Sequence, residues 1–321
     1  MPSAASQRVA PSRLTRSHEI AASCFTGATV IGLTNPLDCL KQRWQVEPPG
    51  GQPSLLAFTR TIIRNEGLIA GLWAPGIIVN MCACTISVGT RLGFYPMLRD
   101  AMPSLSSSSS SPQKSGIGMF ISGLLGGALG YVCSSPFFLA ARVTQAEAGI
   151  LCVDTGLYTS GARSGLAPTV PGGGGLAMLA HILRTQGLLG LWRGADVLVA
   201  RGAIMSATQL TTYDKSKGML RGLGLTDGPV VHCLASLAAS ITLTTAICPL
   251  DVTYTAFLAG PSLGRPYASP LACVRALVAD GGAAALFRGW VPLWLRFLPS
   301  SVLTFVIYEQ SRRILGGRYL D

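Results

Sequence analysis

One pattern occurs three times along this chain. In each copy a glycine lies 19 residues before a tyrosine that begins a Tyr-x-x-x-base turn, and a proline interrupts an apolar stretch further upstream. The glycines are Gly76, Gly194 and Gly289, the turns are Tyr95/Arg99, Tyr213/Lys217 and Tyr308/Arg312, and the prolines are Pro36, Pro136 and Pro249. A fixed internal period indicates repeats of one structural unit. Each copy has two apolar segments, so the sequence predicts six.

The composition indicates that these segments cross a membrane. Hydrophobic residues make up 49% of the chain and charged residues only 12%, which is about half of the charged fraction of an ordinary soluble domain. Uncharged runs extend over residues 20–37, 117–141 and 229–250, and about 20 apolar residues span the hydrocarbon core. Proline removes a backbone hydrogen bond, so we expect helix kinks at Pro36, Pro136 and Pro249 that converge on an interior axis. The predicted fold class is an all-α membrane protein with six transmembrane helices in three pseudo-symmetric repeats.

Two sets of motifs resemble the signatures of the mitochondrial carrier family. The first is Pro36-x-Asp38-x-x-Lys41-x-Arg43 followed by Glu66-Gly67, and the second is the pair of turns Tyr213-Asp214-x-x-Lys217 and Tyr308-Glu309-x-x-Arg312. The resemblance covers roughly residues 19–315 and implies a multi-pass protein of the mitochondrial inner membrane. It also implies a short amphipathic helix on the matrix side of each repeat, for which the candidates are residues 53–65, 175–185 and 267–279.

The repeats also predict the domain organisation. We assign an N-terminal tail to residues 1–17, the first repeat to 18–102, a serine-rich linker to 103–115, the second repeat to 116–221, and the third repeat with the C-terminal tail to 222–321. The basic, acid-free N-terminal tail is typical of a disordered extension, and a short transit peptide is the alternative. The glycine-rich matrix loop 149–175 is expected to be mobile or poorly ordered.

Transport in this family is implied to proceed by alternating access, with a ring of ion pairs that closes each side of a central site. Aligned on the three prolines, the acid positions of the matrix gate hold Asp38, Phe138 and Asp251, and the base positions hold Lys41, Ala141 and Tyr254. Of the family's cyclic pairs only Asp251 with Lys41 remains. Asp38 would face Ala141, with Arg142 beside it as a partial replacement. We therefore expect a weak matrix gate that is biased toward opening to the matrix; the alternative is that Phe138 and Tyr254 replace the ion pairs by apolar packing.

The cytoplasmic gate implied by the resemblance is also incomplete. Its acids are Asp214 and Glu309, its bases are Arg99, Lys217 and Arg312, and Pro96 stands where a third acid is expected. At most two ion pairs can form there. Further hydrogen bonds are expected from Tyr95, Tyr213 and Tyr308.

Arginines inside the second helix of the repeats predict the substrate site. Arg201 and Arg296 each lie seven residues after a glycine of the repeated pattern. Ala83 holds the equivalent place in the first repeat, with Cys84 beside it, and Arg91 lies nearer the tyrosine turn. An arginine in a membrane is costly and normally faces a cavity, and its planar fork matches a carboxylate or a sulfate. Because few intramembrane acids are visible, the three arginines predict a ligand with about two negative charges; the alternative is that some of them pair with backbone carbonyls or helix ends.

The resemblance narrows the class of ligand. Arg201-Gly202 lacks the glycine–aliphatic pair of nucleotide carriers, and the arginine pattern is most similar to the branch with fungal oxaloacetate/sulfate carriers. The implied function is transport of a small dianion such as oxaloacetate, malonate or another oxo- or dicarboxylate, or sulfate. The substrate-binding candidates are Arg91, Arg201, Arg296, Ala83, Cys84 and Gly202. Two alternatives remain open, an uncoupling-type leak protein for protons or anions and a carrier-derived receptor that no longer transports.

Two helix starts, Trp192-Arg193-Gly194 and Phe287-Arg288-Gly289, resemble the cardiolipin-binding sites of the family, since free N–H groups and an arginine suit a phosphate. We expect cardiolipin there as a structural lipid, at Arg193, Gly194, Arg288 and Gly289, and no other cofactor. The cysteines and histidines show neither metal-binding spacing nor a catalytic constellation, so neither a metal nor an enzyme is expected. The sequence shows no basic groove with interleaved aromatic residues, so we do not expect it to bind nucleic acid. A six-helix bundle of this kind is expected to be a monomer.

Overall fold

The fold is built from α-helices. The computed structural model describes residues 16–47, 54–101, 116–152, 154–170, 174–222 and 229–314. Within them, the six long helices are α1 (Arg16–Val46), α3 (Ile77–Ala101), α4 (Gly116–Ala146), α6 (Ala195–Gly222), α7 (Pro229–Ala259) and α9 (Trp290–Ile314). The three short helices are α2 (Leu55–Glu66), α5 (Gly175–Gly190) and α8 (Pro270–Gly281). The all-α class is confirmed, while most of the N-terminal tail, the serine-rich linker and residues 315–321 lie outside the described residues.

The long helices form a closed ring. α1 packs against α3 and α9, α4 packs against α3 and α6, and α7 packs against α6 and α9. Each short helix connects the end of one long helix with the start of the next in the same repeat. All three short helices therefore lie at one end of the ring, which we call the matrix end, and the tyrosine turns lie at the other.

Four described stretches are long and apolar enough to cross a membrane: Ser17–Val46, Ile69–Tyr95, Ile121–Ala146 and Leu237–Ala259. Pro270–Gly281 and Ala283–Phe297 pass the same test only together, with a 114° bend between them. This bend separates the short helix α8 from the long helix α9. The long helices α6 and α9 carry Arg201 and Arg296 within their apolar stretches, which lowers their hydropathy.

Local sequence signals explain where the helices begin. The hydroxyls of Ser54 and Ser269 each accept a hydrogen bond from the backbone N–H three residues later, at 3.2 and 3.1 Å, and so cap α2 and α8. The glycine of the repeated pattern precedes the second long helix of each repeat, and its φ is positive every time. The angles are +64° at Gly76, +78° at Gly194 and +91° at Gly289. Glycine adopts this conformation without steric cost, so these residues turn the chain sharply into α3, α6 and α9.

The prolines of the repeats lie inside α1, α4 and α7, and these helices continue past them. A proline leaves the carbonyl four residues earlier without its helical donor. In the first repeat the indole N–H of Trp73 donates to the freed carbonyl of Gly32 at 2.8 Å. In the second repeat Trp192 donates to the freed carbonyl of Val132 at 2.9 Å. Each tryptophan thus satisfies the backbone group that a proline exposes, as an apolar surrounding requires.

The third repeat uses a variant of this contact. Phe287 stands in the place of the tryptophan, and Trp290, three residues later, donates to the hydroxyl of Thr245 at 3.1 Å. Thr245 is the residue four positions before Pro249. In all three repeats a tryptophan near the start of the second long helix therefore contacts the first long helix next to its proline.

In its described part, residues 149–152 and 154–170, the long connection between α4 and α5 is folded and hydrogen-bonded, so the expectation of a poorly ordered loop is wrong there, and its mobility stays a prediction. The backbone N–H of Thr159 donates to the carbonyl of Ile150 at 2.7 Å, and that of Tyr158 donates to the carbonyl of Leu166 at 2.9 Å. The connection folds back on itself and satisfies its backbone groups internally, which is what a loop needs in order to pack against other protein.

Candidate functional site

A cavity of about 440 Å³ lies inside the ring of long helices. Its volume falls in the range of binding sites for small molecules. Four arginines line it, Arg91 from α3, Arg142 from α4, Arg201 from α6 and Arg296 from α9. Arg91 is exposed and lies four residues before the tyrosine turn of its repeat, whereas Arg142 and Arg201 are buried toward the matrix end. No carboxylate is among the described residues that line the cavity.

The structure separates the other candidates for substrate binding. Cys84 and Gly202 line the cavity, but Ala83 is fully buried and does not. Successive residues of an α-helix point about 100° apart, so α3 can direct only one of these two neighbours to the cavity. Gly202 lies against the ring of Tyr131, and a Cβ added at this position would be 2.2 Å from that ring. Glycine here makes room for an aromatic side chain of the cavity wall.

Asp251 binds three partners at the matrix end of the cavity. Lys41 Nζ donates to Oδ2 at 2.6 Å, and Gln45 Nε2 donates to the same oxygen at 3.0 Å. Arg201 Nε lies 3.0 Å from Oδ1. The side chains of Lys41 and Asp251 are 0% and 1% exposed. The single ion pair that the sequence retained is therefore formed, and a candidate substrate residue lies on the same carboxylate.

The position expected to supply a basic partner for Asp38 holds Ala141, and two arginines take that role. Arg296 Nε lies 2.7 Å from Oδ1, and Arg142 Nη1 lies 3.9 Å from the same oxygen. The Asn80 side chain donates to Oδ2 at 3.4 Å. The N–H of Arg296 is not aligned with the oxygen as in a hydrogen bond, so the contact is mainly Coulombic. Arg142 thus lies where a partial replacement was predicted, and Arg296 lies closer still.

These contacts correct one step of the sequence analysis. Arg201 and Arg296 were expected to have few acids near them, and the structure pairs them with Asp251 and Asp38. The acids were assigned only to the gate because the linear motif does not show which helix faces meet. In the closed matrix end, the gate and the candidate substrate site share one cluster of charges.

The charges in this cluster are unequal. Among the described residues, two carboxylates meet four cations, so two positive charges remain in excess. The carboxylates are Asp38 and Asp251, and the cations are Lys41, Arg142, Arg201 and Arg296. Phe138 and Tyr254, at two of the remaining gate positions, pack into the apolar cluster of α4 and α7. The matrix end is therefore held by arginine contacts and by apolar packing together, so the packing of Phe138 and Tyr254 accompanies ion pairs instead of replacing them.

Sequence reasoning missed two polar residues of this cluster. Gln45 donates to Asp251, and Asn80 donates to Asp38. Gln45 follows Lys41 by four residues, and residues at this spacing share one face of a helix. That spacing is a signal from which Gln45 could have been found. Asn80 carries no comparable signal, because it comes from another helix.

Most of the predicted cytoplasmic gate lies outside the described side chains, namely Arg99, Tyr213, Asp214, Lys217 and Arg312. Tyr95, Tyr308 and Glu309 are described, and each is half-buried. The cytoplasmic gate stays a prediction.

The arginines of the expected lipid sites connect neighbouring repeats. The guanidinium of Arg193 lies 4.5 Å from the centre of the Phe257 ring and donates to the carbonyls of Phe257 and Tyr267, both at 3.4 Å. Arg288 lies 5.4 Å from the centre of the Trp44 ring on α1. Both arginines therefore hold interfaces between repeats. Cardiolipin binding stays a prediction for Arg193, Gly194, Arg288 and Gly289.

Comparison with known proteins identifies the family. The family described as "Mitochondrial carrier protein" matches residues 12–105, 112–223 and 226–319, as three consecutive repeats. The chain is 28% identical to the mitochondrial substrate carrier family protein ucpB of Dictyostelium discoideum, over 92% of this chain and 93% of that protein. It is 30% identical to the putative mitochondrial transporter UCP3 of Mus musculus, over 92% and 89%. It is 24% identical to the mitochondrial oxaloacetate transport protein of Saccharomyces cerevisiae, over 96% and 93%.

Three repeats of this kind imply the six-helix carrier fold, in which α6 and α9 also cross the membrane and direct their arginines into the cavity. Members of the family are transporters and not enzymes. The chain belongs to the mitochondrial carrier family, and it is a multi-pass protein of the mitochondrial inner membrane that transports a metabolite.

Proposed function

We propose that this carrier transports a small dianion, such as oxaloacetate, malonate or another oxo- or dicarboxylate, or sulfate. The excess of two positive charges in the buried cluster carries the proposal. A buried charge without a partner is costly, so a ligand that supplies two negative charges stabilises the cluster. Arginine binds carboxylate and sulfate oxygens in a bidentate manner, which suits both kinds of ligand.

The same arginines would couple binding to gating. Arg201 and Arg296 hold Asp251 and Asp38 in the closed matrix end. A dianion with two acid groups would compete with these carboxylates for the two guanidinium groups. Binding would thereby remove contacts that keep the matrix end closed, and the cluster would exchange one set of ion pairs for another at little net cost in free energy. The exposed Arg91 would attract the anion into the cavity first.

The relatives give partial support to this choice. One of them is named as an oxaloacetate transport protein, and it matches nearly the full length of this chain. Other relatives are named as a citrate transporter and as UCP3. With the arginine cluster as the main support, we propose that the chain belongs to the branch of oxaloacetate/sulfate-type dicarboxylate carriers, that it works by exchange, and that cardiolipin is a structural lipid.

The experiment that tests this proposal measures uptake of labelled malonate and labelled sulfate into liposomes that contain the purified carrier and are preloaded with the same anion. Acetate and citrate serve as ligands with one and three charges. Arg201→Gln and Arg296→Gln should each reduce dianion uptake at least tenfold. Arg184→Gln, which changes an exposed arginine on α5, should leave uptake unchanged. Uptake of acetate as fast as that of malonate and sulfate would overturn the proposal. Wild-type uptake of the dianions by both Arg201→Gln and Arg296→Gln would also overturn it.

An uncoupling-type leak is the second candidate, because Ala141 and Tyr254 replace two bases of the matrix gate. A leak predicts an ion current across liposomes that contain no internal anion. A carrier of dianions predicts negligible current until a counter-substrate is present. Absence of both flux and current would favour the receptor that no longer transports.

A further inference from the structure

The connection between α4 and α5 differs from its counterparts in the other repeats. It extends over residues 147–174, which is 28 residues, whereas the equivalent connections comprise eight residues (47–54) and ten residues (260–269). Its described part, residues 147–152 and 154–170, is called the matrix strap below. The matrix strap continues from the end of α4 in the second repeat and contacts the first and third repeats at the matrix end.

Ser160 joins the matrix strap to the first repeat. Its hydroxyl donates to Glu66 Oε1 at 2.7 Å and also accepts the backbone N–H of Ile150 at 2.8 Å. Glu66, at the end of α2, is bound by Arg43 of α1, whose Nη2 donates to the same oxygen at 2.6 Å. The strap therefore contacts the ion pair that connects α1 with α2.

Arg163 anchors the matrix strap at the end of α4 and joins it to the third repeat. It is only 9% exposed, and its Nη1 lies 3.3 Å from Oε1 of Glu147, directly after α4. The same nitrogen donates to Thr169 Oγ1 at 2.6 Å, and Thr169 donates to Glu147 Oε1 at 2.7 Å. It also donates to the carbonyl of Ser262, in the turn that follows α7. One buried guanidinium thus connects the ends of α4 and α7.

These contacts span the helix ends that must separate when the matrix side opens. α1, α4 and α7 carry the three prolines and the gate positions, and the matrix strap is attached near the matrix end of each of them. We propose that the matrix strap is a second lock of the closed matrix end, which must release Ser160 or Arg163 before the cavity opens to the matrix. This inference requires alternating access but not the proposed substrate. It explains how a chain with an incomplete gate holds its matrix end closed.

The test follows access to Cys84, which lines the cavity, and no strap residue is among the described residues of that lining. Inside-out vesicles of inner membrane that contain the full chain are treated on the matrix face with a membrane-impermeant methanethiosulfonate that carries a sulfonate group. Peptide mass spectrometry then gives the rate of modification of Cys84. Arg163→Ala should raise this rate at least threefold, and so should the double variant that combines Arg163→Ala with Ser160→Ala. Wild-type rates in both would overturn the proposal.

Two controls keep the result interpretable. Arg64→Ala removes an exposed cation at the end of α2 and so matches the loss of charge in Arg163→Ala; because it can only weaken attraction of the anionic reagent, it should not raise the rate. Cys273 on α8 is buried, and burial raises the pKa of its thiol to about 12, so it should stay unmodified while the fold is intact. If Cys273 reacts in Arg163→Ala, then Arg163→Lys decides. Lysine keeps a charge next to Glu147, but its shorter side chain ends before the position of Nη1, which contacts Thr169 and Ser262, and it has no second nitrogen to donate to the carbonyl of Ala167. A raised rate in Arg163→Lys with Cys273 unmodified supports the lock, and a wild-type rate refutes it.

Discussion

Replacement of Asp251 by asparagine tests the charge cluster most directly, because it removes one charge and almost no volume. In the native fold the carboxylate lies 2.6 Å from Lys41 Nζ, 3.0 Å from Arg201 Nε and 3.0 Å from Gln45 Nε2. Removal of one partner from a buried ion pair costs about 3–5 kcal/mol, since the other charge stays in a medium of low dielectric constant. Two cations lose the same acid here, so we expect a loss in free energy of unfolding of about 5 kcal/mol, at the upper end of that range.

The assay is the free energy of unfolding of the lipid-supported protein, measured in a double-mutant cycle. Asp196→Asn, at an exposed position in the first turn of α6, is the matched control and should cost less than about 1 kcal/mol. Lys41→Met alone should cost less than Asp251→Asn, because Asp251 keeps Arg201 and Gln45. The double variant should recover part of the loss, because it also removes the unpaired ammonium group, with a coupling free energy of at least about 1 kcal/mol.

Two results would refute this reasoning. The first is a loss in Asp251→Asn that does not exceed the loss in Asp196→Asn. The second is a cycle in which the effects of Asp251→Asn and Lys41→Met simply add, since additivity is typical of sites that do not interact.

Two further predictions concern packing. Trp192→Phe removes the donor to the carbonyl that the proline of α4 frees, so we expect a loss of about 1–2 kcal/mol in unfolding free energy, and an unchanged unfolding midpoint would contradict it. Gly202→Ala places a Cβ 2.2 Å from the Tyr131 ring and should destabilise the fold by about 1–3 kcal/mol. Gly127→Ala, on the cavity side of α4 with no atom within 4 Å of the added Cβ, should instead stabilise it by up to about 1 kcal/mol; equal effects of the two substitutions would show that the Tyr131 contact is unimportant.

The repeats, the helices and one ion pair could be predicted from the sequence. The period from glycine to tyrosine defines three units, and the positive φ of Gly76, Gly194 and Gly289 explains why glycine recurs there. The prolines predicted where a backbone group would need a new partner, but the tryptophans that supply it became evident only in the fold. The matrix strap was expected to be mobile, because its glycine content is visible in the sequence and its partners in other repeats are not.

The sequence by itself determined that this chain is a three-repeat bundle of membrane helices with arginines directed to its interior. These features follow from periodicity, hydropathy and backbone geometry, which are local properties. Only the tertiary structure decided that Arg201 shares Asp251 with Lys41, that Arg296 binds Asp38, and that the cluster holds two excess positive charges. The physical reason is that each of these ion pairs joins different helices, and the partner of a buried charge depends on which helix faces meet around the cavity.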